Sequence, residues 1–152
     1  MKINKSEISV TYDKLKPGFM PTKLSAKKVK AILELLLKEE NINKAVSIVF
    51  TNNKTIKRLN RLYRYRNIIT DVLSFEYGRE AQLLGEIIIS LETARKQAIK
   101  YGNSFSRETV ILLIHGFYHI LGHEHYRKAE YHKMKKKEAA ALELLVKKGL
   151  VK

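Results

Sequence analysis

A helix that is apolar on every side is stable only where other elements cover every side. The stretch from Arg107 to Leu121, RETVILLIHGFYHIL, reads as such a helix: no position from Val110 to Ile114 is polar, so the segment is buried. Ser106 starts it, and Gly122 stops it where the chain turns through a left-handed conformation. A chain of 152 residues can build one core of this kind but not two, so residues 1–152 read as a single domain.

The covering elements follow from periodicity and punctuation. Pro17 and Pro21 bracket an early loop, after which Ser25 caps a helix carrying Val29, Ile32, Leu33, Leu36 and Leu37 at helical spacing. Lys44–Thr51 is short and β-branched, a strand; Asn53 caps a second helix with Ile56, Leu59 and Leu62 or Tyr63 on its apolar side. Thr70–Tyr77 and Leu83–Ser90 read as strands separated by a glycine-containing turn. Ser90 caps a third helix ending near Tyr101, and a last, lysine-rich helix runs from about Arg127 to Lys148. The run KMKKKE, Lys133–Glu138, reads as the solvated face of that last helix. A strand from Ile3–Val10 is expected to join the sheet. This order predicts an α+β fold: a mixed sheet of about four strands packed with about five helices, with the candidate site at the end of the buried helix.

Thirty Lys and Arg against fifteen Asp and Glu give a net charge of +15. Such a surplus repels itself unless anions are near, which points to a polyanionic partner, nucleic acid first. A lysine-rich surface that serves only solubility or heat resistance gives the same number. The chain has no cysteine, so disulfides and thiolate metal sites are excluded and any metal must be held by His, Asp or Glu. The N-terminal residues lack an apolar signal core, and no run reaches the length of a membrane span; cytoplasmic location is the expectation.

Three of five histidines fall inside HGFYHILGHEH, residues 115–125. His115 and His119 are four apart and leave the helix in the same direction. The turn at Gly122 can return His125 toward them. A lone buried imidazole is usually a satisfied core residue, but three at this spacing are costly to bury without partners, about 1–3 kcal/mol per unsatisfied group. Three imidazoles with a fourth position left for water form the ligand set of a catalytic zinc site. The spacing H-x3-H-x5-H also belongs to metzincin proteases, which need a Glu directly after the first His as general base. That position is Gly116 here, so the peptidase reading loses its base. His123 is expected to point away from the ligand side, and His132 reads as surface.

The segment HGFYHILGHEH resembles the H-G-x-L-H-L-x-G-x-D-H signature of the YbeY family of bacterial metal-dependent endoribonucleases. LNRLYR (Leu59–Arg64), TDVLSF (Thr70–Phe75) and GEIIIS (Gly85–Ser90) resemble three further blocks of that family, in the same order. Together they cover the chain from about Ser47 to Glu138. The resemblance implies one zinc-like ion on His115, His119 and His125, and a functional arginine at Arg64. It also implies a metal cleft beside the sheet and single-stranded ribosomal RNA as substrate. Glu124, Glu86 and Glu76 stand where the family pattern has Asp, Asp and Pro, and YRNIIT lacks the Gly and Pro common in that loop.

Zinc-activated water and a guanidinium suit phosphodiester cleavage, since arginine forks onto phosphate oxygens as charge builds. Without the family, Arg64 reads as a surface arginine beside Arg61 and Arg66. Tyr63, Tyr65, Phe117 and Tyr118 can stack bases or serve as core. Glu124 is a candidate proton-transfer or ligand-orienting carboxylate, or else a solvated turn residue. The resulting expectation is a single-strand endoribonuclease holding Zn2+, acting on ribosomal RNA and ribosomal particles in ribosome maturation. Two other readings stand beside it: a zinc-dependent amide or peptide hydrolase, and a non-catalytic ribosomal-RNA-binding assembly factor with a structural metal.

Overall fold

The computed structural model describes residues 8–16, 18–78, 80–122 and 127–152. Its elements are β1 (Ile8–Tyr12), α1 (Ala26–Glu39), β2 (Ala45–Thr51), α2 (Asn53–Arg64), β3 (Val72–Glu76), β4 (Leu83–Ser90), α3 (Leu91–Tyr101), α4 (Phe105–Ile120) and α5 (Lys128–Lys147). Among the described residues four strands form one mixed sheet in the order β1-β2-β4-β3, with β3 at an edge. The strands β1, β2 and β4 are parallel, and β3 runs antiparallel to β4. The α+β architecture expected from the sequence is the one observed. The expected first strand is seen from Ile8, and the stretch 3–7 lies outside the described residues.

Alternation along the strands divides the side chains between two cores. Val46, Ile48 and Phe50 of β2 and Ile87 and Ile89 of β4 enter the main core with Val29, Ile32, Leu33, Leu36 and Leu37 of α1. Their neighbours Val49 and Ile88 point to the other face, where Ile56 and Leu59 of α2 cover them with Leu73 and Phe75 of β3. The all-round apolar segment is α4, whose Val110, Leu112, Leu113, Ile114, Phe117, Tyr118 and Ile120 are all buried.

Two helix starts differ from expectation by one or two residues. Ser104 caps α4, its side chain accepting from the Arg107 N–H at 3.1 Å, and Ser106 lies within the first turn. A cap needs extended backbone dihedrals, which Ser104 has. Asn52 likewise caps α2, accepting from the Thr55 N–H at 2.8 Å. Asn53 instead ties α2 to the start of α3, its Oδ1 accepting from Ser90 Oγ at 2.5 Å and Thr93 Oγ1 at 2.6 Å.

Gly116 sets how closely the middle of α4 lies on the sheet. A Cβ at Gly116 would fall 2.7 Å from Ile87 Cγ2, 3.1 Å from Val72 Cγ2 and 3.2 Å from Ser74 Oγ. The helix therefore approaches β3 and β4 at a distance that only glycine permits. Gly116→Ala is expected to destabilise the fold by about 1–3 kcal/mol, the usual scale for overpacking a filled core. Denaturant titration checks it; an unchanged midpoint would mean that α4 can lift off the sheet without cost.

Candidate metal and RNA site

The close approach at Gly116 brings one turn of α4 against the edge strand. Val72 and Ser74 of β3 face α4, and Ser74 Oγ donates to the Gly116 carbonyl at 3.2 Å. His115, beside that glycine, and His119, one turn on, look into a cavity of about 730 Å3 between the end of α4, β3 and the loop that follows α2. Asn60, Arg64, Arg66, Thr70, Ser74 and Glu76 line it with the two histidines.

The two rings converge. His115 Nε2 and His119 Nε2 are 3.1 Å apart, with the rings edge to face at a centroid distance of 4.6 Å. Two nitrogens each about 2.0–2.1 Å from one tetrahedral ion stand roughly 3.3 Å apart, so the pair fits a shared cation. Glu138 of α5 orients the first ring, its Oε1 2.5 Å from His115 Nδ1. With Nδ1–H donated to a carboxylate, the neutral ring presents an unprotonated Nε2 to the cavity, the form that binds a metal. Burial pushes the Glu138 carboxyl up, but the hydrogen bond and attraction of His115, then those of Lys135, outweigh it and hold the group below the ordinary range. Lys135 Nζ sits 3.2 Å from the other carboxylate oxygen.

Glu138 is a site residue that the sequence does not single out. The run Lys133–Glu138 predicts a solvated face, yet the Glu138 side chain is only 15% exposed. The signal was present: Met134 and Leu145 are buried with Ala141, and Glu138 falls on the same stripe at spacings of four, three and four. A carboxylate on an apolar stripe requires a partner, and His115 is that partner.

Arg64 reaches the same cavity from the end of α2. Its Nη2 donates to the Ser74 carbonyl at 2.5 Å, and its guanidinium lies 4.8 Å from the centroid of the Phe75 ring. An edge strand leaves carbonyls without a strand partner, and Arg64 answers one of them. This anchors the guanidinium at the cavity rim. Arg66 lines the cavity too and so is more than a flanking surface charge. Asn60, nearly fully buried, shapes the intervening loop by donating to the Ile68 carbonyl at 3.1 Å.

Of the sequence-derived residues, His115, His119 and Arg64 share one cavity. His125 and Glu124 lie outside the described residues, as does His123. Among the described residues no group of three His, Cys, Asp or Glu stands at metal-binding spacing. Of the acidic departures from the family pattern, Glu76 is on the cavity wall, whereas Glu86 accepts from Ser47 Oγ at 3.3 Å on the sheet. Phe117 and Tyr118 are buried core; Tyr63 and Tyr65 are exposed. Among the described residues no helix is long and apolar enough to cross a membrane.

Comparison with known proteins gives a consistent answer. Residues 12–146 match the family described as Endoribonuclease YbeY. The chain is 44% identical over 115 residues to the Endoribonuclease YbeY of Carboxydothermus hydrogenoformans, covering 74% of this chain and 80% of that protein. It is 39% identical over 140 residues to that of Exiguobacterium sibiricum, covering 82% and 89%. Identity to that of Staphylococcus aureus strain JH9 is 36% over 117 residues, covering 68% and 76%. Among solved structures, the solution structure of TM1509 from Thermotoga maritima matches with a TM-score of 0.61 at 25% identity, over 94% of each chain.

Proposed function

The chain belongs to the endoribonuclease YbeY family of hydrolytic nucleases, and from that premise we propose that it is a single-domain, zinc-dependent enzyme that cuts single-stranded ribosomal RNA in the cytoplasm during ribosome maturation. The observation that carries this reading is the convergence of His115 and His119 Nε2 at 3.1 Å on a cavity that also holds Arg64. His115, His119 and His125 would hold the ion, one per chain. When bound, zinc supplies a polarised water or a Lewis-acid contact to a phosphate oxygen.

The chain's own residues do the rest. Glu138 holds the His115 ring in one tautomer and orientation. Arg64, fixed at the rim by the Ser74 carbonyl, presents its remaining N–H groups to the phosphate and neutralises charge as it builds. Arg66 and the surplus of +15 hold the strand by its backbone. Glu124 is proposed to orient a ligand or move a proton. Packing at Gly116 speaks against the amide-hydrolase alternative: the position where that chemistry places its base faces Ile87, Val72 and Ser74.

Protein purified without added ions is expected to carry about one zinc per chain and to cut single-stranded but not fully paired RNA. Chelation should abolish the cutting. Uncut single-stranded RNA with zinc-loaded, folded protein would defeat the catalytic reading. Glu138→Gln is expected to weaken zinc binding roughly 10–100-fold, the scale seen when a ligand's orienting partner is lost. Competitive titration against a chromogenic chelator measures it, and unchanged affinity would remove Glu138 from the site. Affinity for RNA should fall log-linearly with salt; a flat titration would turn the charge into a solubility feature.

A further inference from the structure

The helix α2 ends at Tyr65, which closes it in the left-handed region at φ 58°, ψ 31°. Glycine or asparagine is the unstrained choice there, and a bulky aromatic residue is strained. Packing does not account for the choice. Tyr65 is 91% exposed, against 62% for Tyr63, and it belongs to neither of the two cores formed by the described residues. Its position is specific, however: Arg64 and Arg66 on either side both line the cavity of the two histidines. From Lys54 to Thr70 the sequence holds six cations and no acid.

A strained, exposed ring between two arginines suits a ligand that is flat in one part and anionic in the next. We infer that Tyr65 is a stacking platform for one base of single-stranded RNA, set beside the cavity so that the neighbouring phosphate meets Arg64 and Arg66. The inference rests on the proposed function and deepens it by naming a residue that selects unpaired over paired RNA. Bases inside a duplex have no open face to offer, whereas an unpaired base can leave its neighbours and lie on the ring. Tyr63 does not compete for this task, because its ring is fixed edge-on to Phe75 at 5.7 Å. The absence of acids over this stretch argues for a polyanion over an ordinary protein partner.

The test exploits the strain. Tyr65→Gly relieves the left-handed backbone, so its melting temperature should equal or exceed the parent's, while affinity for an RNA strand should fall about 5- to 100-fold, the loss expected for one stacked base. Tyr65→Phe should bind like the parent, and Tyr101→Ala, an exposed tyrosine on α3, should change nothing. The natural chain has no tryptophan, so Tyr65→Trp introduces one isolated fluorophore. The probe is a single-stranded RNA oligomer methylated on its 2′ oxygens, compared with the same oligomer made abasic and with its duplex. Stacking predicts tryptophan quenching by the first and little by the other two. Parent-like RNA affinity of Tyr65→Gly overturns the inference and leaves the proposed function standing. Failure of the parent protein to bind the single strand at low salt defeats both. A change of sedimentation on Tyr65→Gly with RNA affinity intact would make the ring a protein contact, which also overturns it.

Discussion

Replacing any one of His115, His119 and His125 by alanine is expected to strip zinc from the purified protein. A site with three protein ligands and a water has no spare donor, so losing one leaves two nitrogens and solvent. The effect should exceed the roughly 10–100-fold weakening expected at Glu138, whose proposed role is only to orient a ligand. His115→Ala removes a ring that Glu138 holds, and His119→Ala removes the nitrogen 3.1 Å from it. His125→Ala tests the residue that lies outside the described ones and is assigned by spacing and by the family signature. His132→Ala, exposed on α5, should retain full zinc. Metal analysis after exhaustive dialysis reads the result. Near-full zinc in all three variants would defeat the assignment, and near-full zinc in one would remove that histidine from it. Helical content measured alongside separates ligand loss from unfolding, since α4 lies in the core.

Much of the scaffold was legible because burial imposes periodicity. Val29, Ile32, Leu33, Leu36 and Leu37 repeat at helical spacing and all are buried in α1. The uninterrupted apolar run from Val110 to Ile114 had to lie at the centre, and it does, with Ile111 alone half-buried. Cap positions were less legible: Ser104 and Ser106, like Asn52 and Asn53, are equivalent as residue types, and only backbone dihedrals choose between them. The histidine pair was legible because four residues make one helical turn. Glu138 was not, since the lysines around it masked the stripe it shares with Met134 and Ala141.

Gly116 shows the limit in another form. Sequence alone says that a base is missing after His115. The structure adds that this face of α4 meets β3 and β4 with room for no side chain, so the missing base and the position of the cavity have one cause. Arg64 likewise gained content from the fold. Nothing in LNRLYR announces that its arginine will satisfy an edge carbonyl of β3, because strand order is a long-range property.

The second large effect is expected at Arg64, and it separates catalysis from binding. The guanidinium is anchored by the Ser74 carbonyl and the Phe75 ring, while Arg66 and lysines elsewhere are proposed to hold the strand. An interaction that strengthens as charge builds on the phosphate lowers the barrier more than it tightens the ground state. Arg64→Ala should therefore keep its zinc and its fold and bind RNA almost normally. It should cleave at least about a hundredfold more slowly, the scale for losing one transition-state donor. Arg64 itself is exposed, so little stability goes with its two lost contacts. Arg64→Lys should restore only part of the rate, because an ammonium cannot make the planar two-point contact. The comparison residue is Arg61, which lies off the cavity wall; Arg66 is unsuitable because it lines that wall. Arg61→Ala is expected to weaken binding modestly and leave the cleavage step unchanged. Single-turnover cleavage under saturating enzyme decides the matter. Equal rate losses in Arg61→Ala and Arg64→Ala would make Arg64 one charge in a basic patch, and the transition-state role assigned to this anchored guanidinium would fall.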